Sequence, residues 1–302
     1  MNYLEYYELK QEPFSNAPVS RFYYESRQHE QALDRLKHVV GRMKGLALLV
    51  GQIGAGKTTL ARRLLDSLPE SEYEAALLVI IHANVTASWL LRRVALALGV
   101  ESPAEDKLAL LSQLYQRLVR IHEQGKRAVV LIDEAQMLST RELMEEFRGL
   151  LNLEVPERKL LSFVFFGLPE IEDNLKLDPP LAQRVALRVR LGPLDARATE
   201  EYVRHRLEIA GAPRVPFTPE AIEAVHRFTL GTPRLINTLC DNVLYEGFAA
   251  GQAELDVALV ERVAGELGID AQGEAVAEPS APRLGERLDL EEIDRYLDSL
   301  AK

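Results

Sequence analysis

The stretch Gly45-Leu-Ala-Leu-Leu-Val-Gly-Gln-Ile-Gly-Ala-Gly-Lys-Thr-Thr-Leu60 decides the fold of this chain. Its first part, residues 46–50, is a short apolar run of the kind that forms a buried strand. A loop with three glycines follows, and a segment with helical spacing begins at Lys57. The spacing G-x-x-x-x-G-K-[ST], set between a strand and a helix, is the phosphate-loop motif. The stretch therefore predicts a site for a polyphosphate.

The residue types of this loop explain how it would bind a phosphate. Because glycine has no Cβ, the backbone can turn its N–H groups inward around an anion, and the N-terminus of the following helix adds partial positive charge. We expect Lys57 to reach the β- and γ-phosphates and the Thr58 hydroxyl to ligate magnesium. The predicted nucleotide-binding residues of the loop are Gly51, Gln52, Ile53, Gly54, Ala55, Gly56, Lys57, Thr58 and Thr59.

Composition narrows the class of protein. The 302 residues are 47% hydrophobic and 27% charged, which suits one large or two modest globular domains. The net charge of −10 argues against a constitutive binder of nucleic acid or anionic membranes, although about half of it lies in residues 268–302. The single cysteine, Cys240, excludes an internal disulfide and a multi-cysteine metal site. Without a signal-peptide pattern or an apolar run of ~18 residues, we expect a cytoplasmic chain with no membrane span.

Apolar strand patterns alternate with helical patterns up to residue 195. The strand patterns occupy residues 46–50, 76–81, 127–134, 161–166 and 186–191. This alternation predicts an α/β fold, in which a mostly parallel five-stranded sheet is covered by helices on both faces. Ser139 and Glu142 predict a capping box at the start of one of these helices.

The composition of the chain predicts four parts. Residues 1–27, rich in tyrosine and phenylalanine, are expected to pack on the core, either as a clasp or as one wall of a ligand pocket. Residues 28–195 would form the nucleotide-binding domain, and residues 196–268, which show helical patterns only, an all-α lid domain. Residues 269–302 are typical of a linker followed by a short acidic amphipathic helix, 288–300, which we expect to bind a protein partner.

A pair of acids ends the third strand pattern, Val129-Val-Leu-Ile-Asp-Glu134. Strands of α/β sheets present their ligand-binding side chains at this end. We expect Asp133 to hold Mg²⁺, commonly through water, and Glu134 to orient the water that attacks the γ-phosphate. Asn84 is expected to end the second strand close to Glu134, where it would either hold that carboxylate away from the water until a partner binds or form a turn.

Arginines supply the remaining candidates. Gly231-Thr-Pro-Arg234 places a cation at the start of a helix, where it is unfavourable for the helix dipole, so we expect Arg234 to contact the γ-phosphate. Arg184 lies where a neighbouring subunit's nucleotide could be reached, and an arginine supplied in this way accelerates hydrolysis strongly. Arg188 and Arg190 are the alternatives for this role.

These motifs together resemble an AAA+ ATPase, most closely one of the general secretion pathway A type. The resemblance covers roughly residues 1–268. The most specific segments are the opening Pro-Phe-Ser and the Gly-x-Pro-Arg-Leu-Ile-Asn run. The residues that carry it are Tyr3-Leu-Glu-Tyr-Tyr-Glu-Leu-Lys-Gln-Glu-Pro-Phe-Ser15, Arg21-Phe-Tyr-Tyr24, the phosphate loop, Leu131-Ile-Asp-Glu-Ala-Gln136, Gly167-Leu-Pro-Glu170, Gln183-Arg184 and Gly231-Thr-Pro-Arg-Leu-Ile-Asn237.

The resemblance implies ATP with Mg²⁺, a helical lid, and a homo-oligomer whose sites lie between subunits. It implies that Asp133 and Glu134 are the Walker B pair, Arg234 is sensor 2, Arg184 is the arginine finger and the N-terminal segment lies near the adenine. Leu168 departs from the pattern, since relatives usually carry glutamine there. The best-known members also continue into a membrane span and a peptidoglycan-binding domain, whereas this chain is expected to meet the inner membrane only peripherally, through a partner.

Three hypotheses of function follow. The first is an ATP-hydrolysing, oligomer-forming motor or switch that supports assembly of a bacterial envelope machine for secretion, pili or polysaccharide export. The second is a DNA-associated regulator of the transposition or replication-initiator kind, which the acidic charge disfavours. The third is a nucleotide-gated scaffold with little turnover, which Leu168 motivates.

Overall fold

A five-stranded parallel sheet forms the centre of the computed structural model, which describes residues 2–17, 19–156 and 158–269. The strand order is β2-β3-β6-β1-β7, and every neighbouring pair is parallel. The strands of this sheet are Leu46–Gly51 (β1), Tyr73–Val79 (β2), Arg127–Asp133 (β3), Leu161–Gly167 (β6) and Val185–Leu191 (β7). A short antiparallel pair, Glu154–Val155 (β4) and Arg158–Lys159 (β5), precedes β6.

Helices connect the strands and then continue without strands. Within the described ranges the connecting helices are Tyr3–Tyr6 (α1), Arg27–Gly41 (α2), Lys57–Asp66 (α3), Ala87–Ala97 (α4), Lys107–Glu123 (α5), Arg141–Leu150 (α6), Ile171–Leu175 (α7) and Pro179–Ala182 (α8). The later helices are Ala196–Ile209 (α9), Pro219–Thr229 (α10), Pro233–Ala249 (α11) and Val257–Glu266 (α12).

Both faces of the sheet are buried, because side chains alternate along each strand. In β1, Leu46, Leu48 and Val50 join an apolar cluster with α4, α5 and α6, whereas Ala47 and Leu49 join a second cluster with α2 and α3. Helices on both sides of a parallel sheet are the architecture that the alternating pattern predicts. The predicted fold class is therefore confirmed for the parallel sheet and for the helical part that follows it.

The N-terminal segment lies mainly against the later helices, and this differs from the predicted packing on the core. Tyr7, Leu9 and Phe14 belong to the apolar cluster formed by α9–α12. The backbone N–H of Lys10 also donates to the carbonyl oxygen of Ala210, at 2.8 Å. The physical reason is that α9–α12 present an apolar surface that these side chains cover, while the sheet is already covered by its own helices.

Two local predictions are corrected at their boundaries. The second strand ends at Val79, two residues before the predicted end. Thr140, not Ser139, caps α6: its backbone is extended (φ −111°, ψ 148°) and its side chain accepts from the Leu143 N–H, as an N-cap requires. The predicted helix 288–300 lies outside the described residues. The four-part division of the chain remains a prediction.

Candidate functional site

The phosphate loop bridges β1 and α3 at the carboxyl edge of the sheet. Gly54 and Gly56 have φ values of +78° and +90°, a left-handed conformation that favours glycine. Gly56 is followed by Lys57, the first residue of α3, so the loop leads directly into a helix N-terminus. A cavity of about 590 Å³ opens above the loop. Its walls come from the loop, the end of β3, the start of α11 and the N-terminal segment.

Lys57 is buried in the floor of this cavity. Its Nζ donates to the carbonyl oxygens of Gly51 and Gln52, at 2.9 and 3.0 Å. Burial lowers the pKa of the Lys57 ammonium, an effect that the charges of Glu134 and Asp133 oppose. The lysine is therefore held at the loop beside two acids, where its charge can meet an anionic ligand.

Thr58 and Asp133 meet directly. The Thr58 hydroxyl donates to Asp133 Oδ2 at 2.7 Å, which joins the start of α3 to the end of β3. Asp133 is buried, and burial raises the pKa of its carboxyl while the hydrogen bond from Thr58 opposes the rise. A hydroxyl and a carboxylate are hard oxygen ligands, and Mg²⁺ commonly takes only one or two protein ligands beside phosphates and water. These residues fit that ion.

Glu134 follows Asp133 in a left-handed conformation, with φ 55° and ψ 36°. Its backbone N–H donates to Asp133 Oδ1 at 2.9 Å, and its carboxylate accepts a hydrogen bond from Gln136 Nε2 at 2.6 Å. The expected partner, Asn84, is exposed, lies five residues beyond the end of β2 and does not line the cavity. The two roles expected for Asn84, holding the Glu134 carboxylate or forming a turn, stay predictions.

Arg234 reaches the cavity from the later helices. It is the second residue of α11, whose N-cap is Thr232, and it lines the cavity with the loop. The contact with the loop is close: a Cβ built on Gly54 would lie 2.6 Å from the Arg234 Cβ. The helix that carries the predicted γ-phosphate arginine thus packs against the phosphate loop. The phosphate contact itself remains a prediction.

The N-terminal segment forms another wall of the cavity. Asn16, Val19 and Tyr23 line it, so the segment is both a packed clasp and a pocket wall, the two alternatives that the sequence left open. Arg206 of α9 holds this wall: its guanidinium donates to the carbonyl oxygens of Pro13 and Ser15, at 2.6 and 2.8 Å. Sequence patterns did not reveal Arg206, because an arginine at a core position of a helix gives no distinctive spacing.

Arg184, directly before β7, and the two arginines of β7, Arg188 and Arg190, do not line the cavity of their own chain, and β7 is an edge strand of the sheet. Arg184 donates to the Arg148 carbonyl oxygen and to Asn152 Oδ1, at 3.2 and 2.5 Å. Arg188 donates to a carbonyl of α8, and Arg190 pairs with a glutamate of α7 at 2.8 Å. A role of any of the three at a neighbouring subunit's nucleotide stays a prediction.

Comparison with known proteins places this site in a family. Residues 41–175 match the model of an AAA domain. Over 256 residues, or 84% of the chain, the sequence is 38% identical to general secretion pathway protein A of Aeromonas hydrophila. The chain spans about half the length of that relative, 46%. It is also 30% identical over 152 residues, 48% of the chain, to an uncharacterized HTH-type transcriptional regulator of Methanocaldococcus jannaschii, of which it covers 36%.

A solved structure shows the same fold. The ORC2 protein of Aeropyrum pernix superposes with a TM-score of 0.64 over 85% of this chain and 72% of its own, at 17% identity. Among the described residues no helix is long and apolar enough to cross a membrane. The predicted resemblance is confirmed: the chain is similar to an AAA+ protein of the general secretion pathway A type.

Proposed function

We propose that the chain binds ATP with Mg²⁺, hydrolyses it as a homo-oligomer and serves the assembly of a bacterial envelope machine. The observation that carries the proposal is the direct hydrogen bond between Thr58 and Asp133, with Lys57 and Glu134 beside it in one cavity. This arrangement supplies a cation for the phosphates, two oxygen ligands for a metal and a carboxylate for a water molecule. The similarity to general secretion pathway protein A supports the envelope role.

Each residue has a distinct part in the proposed reaction. Lys57 neutralises charge on the β- and γ-phosphates, and the loop N–H groups hold the same oxygens. Mg²⁺, when bound through Thr58 and Asp133, adds positive charge at the phosphates. Glu134 accepts a hydrogen bond from the attacking water and orients it in line with the phosphorus. Arg234, at the start of α11, contacts the γ-phosphate from the helical part, and Arg184 completes the site of a neighbouring subunit.

Steady-state ATPase assays test this proposal. We expect Glu134→Gln to lower kcat by about a hundredfold or more with little loss of ATP binding, since general acid–base groups contribute on that scale. Lys57→Ala is expected to weaken binding as well. Glu142→Gln, an exposed acid in the first turn of α6, is the matched control and should keep full turnover. Full turnover by either site variant would contradict the proposal.

The assembly part has its own measurement. We expect the mass of the full chain in solution to rise with Mg-ATP, because Arg184 does not line the cavity of its own chain and would complete the site of another subunit. An unchanged mass at saturating nucleotide would contradict the oligomer. Salt-sensitive binding of duplex DNA with a non-hydrolysable ATP analogue would instead favour the DNA-associated alternative.

A further inference from the structure

The side chain of Gln136 links the ends of two neighbouring strands. The residue lies in a short 3₁₀ turn, Ala135–Met137, directly after the acid pair of β3. Its Nε2 donates to Glu134 Oε2 at 2.6 Å, and its Oε1 accepts from the backbone N–H of Leu168 at 3.0 Å. Leu168 is the first residue after β6, which is paired with β3. One amide therefore connects the reactive acid to the adjacent strand.

The two hydrogen-bond partners, Glu134 and the Leu168 N–H, fix which end of the Gln136 amide faces each of them. A backbone N–H can only donate, so the atom that faces Leu168 is the amide oxygen. An ionised carboxylate can only accept, so the atom that faces Glu134 is the amide nitrogen. The oxygen and nitrogen ends of a glutamine are assigned by such partners, and here both partners give the same assignment.

The surroundings leave the amide little freedom. Asn174 Nδ2 donates to the backbone oxygen of Gln136 at 2.8 Å and holds the turn. Gly167 faces the side chain closely: a Cβ built there would lie 2.9 Å from Gln136 Oε1 and 3.2 Å from its backbone nitrogen. The amide fits in this place because residue 167 has no side chain.

We propose that Gln136 is a positioning residue that holds the Glu134 carboxylate in the orientation it needs to act on water, an inference that rests on the proposed hydrolysis. The contact uses one carboxylate oxygen, and the other can accept from a water. Asn84, one candidate for a contact with this carboxylate, does not line the cavity. Leu168 brings no polar group to the end of β6, whereas Gln136 reaches that end from the neighbouring strand.

The size of the effect follows from the freedom that the amide removes. Without the amide, the Glu134 side chain can adopt several rotamers, and only one of them is expected to orient the water. The entropy of ordering such a side chain corresponds to roughly a ten- to thirtyfold loss in rate. Because the amide acts on the carboxylate and not on the phosphates, the loss should appear in kcat, with the KM for ATP changed by less than about twofold.

Three variants of the full chain test the proposal in ATPase assays. Gln136→Ala removes the amide, and we expect the tenfold or greater fall in kcat without a change in KM. Gly167→Ala displaces the amide without touching Glu134 and should lower kcat in the same direction, with no further loss when the two changes are combined. Glu142→Gln, at an exposed position in the first turn of α6, is the control and should keep its turnover. An unchanged or raised kcat in Gln136→Ala, or a change in KM alone, would overturn the inference.

A second measurement separates this inference from the proposed function. If the unmodified chain shows no turnover, hydrolysis is refuted, but the contact can still be tested in the nucleotide-free chain by a double-mutant cycle. We expect Gln136→Ala to lower Tm less in a Glu134→Ala background than in the original chain. An equal loss of Tm in both backgrounds would show that the two side chains are not coupled and would overturn the positioning role.

Discussion

Arg206 offers the most decisive test of how the cavity wall is held. It is 6% exposed in α9, and all its hydrogen-bond acceptors are neutral. The guanidinium donates to the carbonyl oxygens of Pro13 and Ser15 and, through Nη1, to the Tyr202 hydroxyl and Asn237 Oδ1 at 2.7 and 3.1 Å. The planar fork of donors thereby joins the N-terminal wall to α9 and α11.

The magnitude for Arg206→Met can be worked from these contacts. Methionine keeps much of the apolar stem but leaves two carbonyl oxygens without their donors, at about 1–3 kcal/mol each. Part of this loss is offset, because the variant no longer buries a charge whose hydrogen-bond acceptors are neutral. We expect a net destabilisation of about 2–4 kcal/mol, or a fall in Tm of roughly 5–15 °C for a chain of this size.

Thermal unfolding of the nucleotide-free chain, followed by circular dichroism, measures this effect. Arg204→Met is the matched control, because Arg204 lies on the same helix, is exposed and pairs with Glu200 of the preceding turn. Such a pair contributes at most about 1 kcal/mol. We also expect Arg206→Met to weaken binding of an ATP analogue, since the released segment lines the cavity. A Tm within about 2 °C of the control would refute the reasoning.

Two further predictions concern the loop and its support. Gly54→Ala should weaken nucleotide binding and lower Tm, because the φ of Gly54 is +78° and the new Cβ would lie 2.6 Å from the Cβ of Arg234. Gly149→Ala is the control, because a Cβ at residue 149 would have no atom within 4 Å. Equal nucleotide affinity of the two variants in a titration would contradict this prediction. Burial lowers the pKa of His29, so its neutral form is favoured in the folded chain and stability should fall as pH drops below about 6.5. His29→Gln should remove this fall in stability at low pH, whereas His38→Gln, at an exposed position of the same helix α2, should keep it. Parallel curves of stability against pH for the original chain and both variants would contradict the prediction.

Some parts of the site could be predicted because they depend on short segments. The apolar run of β1 and the glycines after it specify a strand, a turn and a helix start within sixteen residues. Asp133 and Glu134 follow a buried strand directly, and parallel strands bring their carboxyl ends to one edge. The end of the second strand was predicted two residues too late, because apolar residues such as Ile81 continue past Val79, where this half-exposed edge strand ends.

Other parts depend on contacts between distant segments. Gln136 ends a motif that carries the resemblance, but the motif does not show its partner, and only the pairing of β3 with β6 brings the Leu168 N–H to its amide. Arg206 is more than 190 residues away in the sequence from the two carbonyls that accept its hydrogen bonds, and only the folded chain brings them together. Neither a periodic pattern nor a local motif predicts contacts between segments this far apart in the sequence.

The sequence by itself determined the fold class and the family that this chain resembles, because strand runs, glycine spacing and motif order act over short distances and leave readable patterns. The tertiary structure alone decided which side chain holds Glu134, which helices the N-terminal segment covers, and that this segment forms a wall above Gly51–Thr58. These choices depend on the packing of the helical part against the sheet, where a shift of a few ångströms exchanges one hydrogen-bond partner for another.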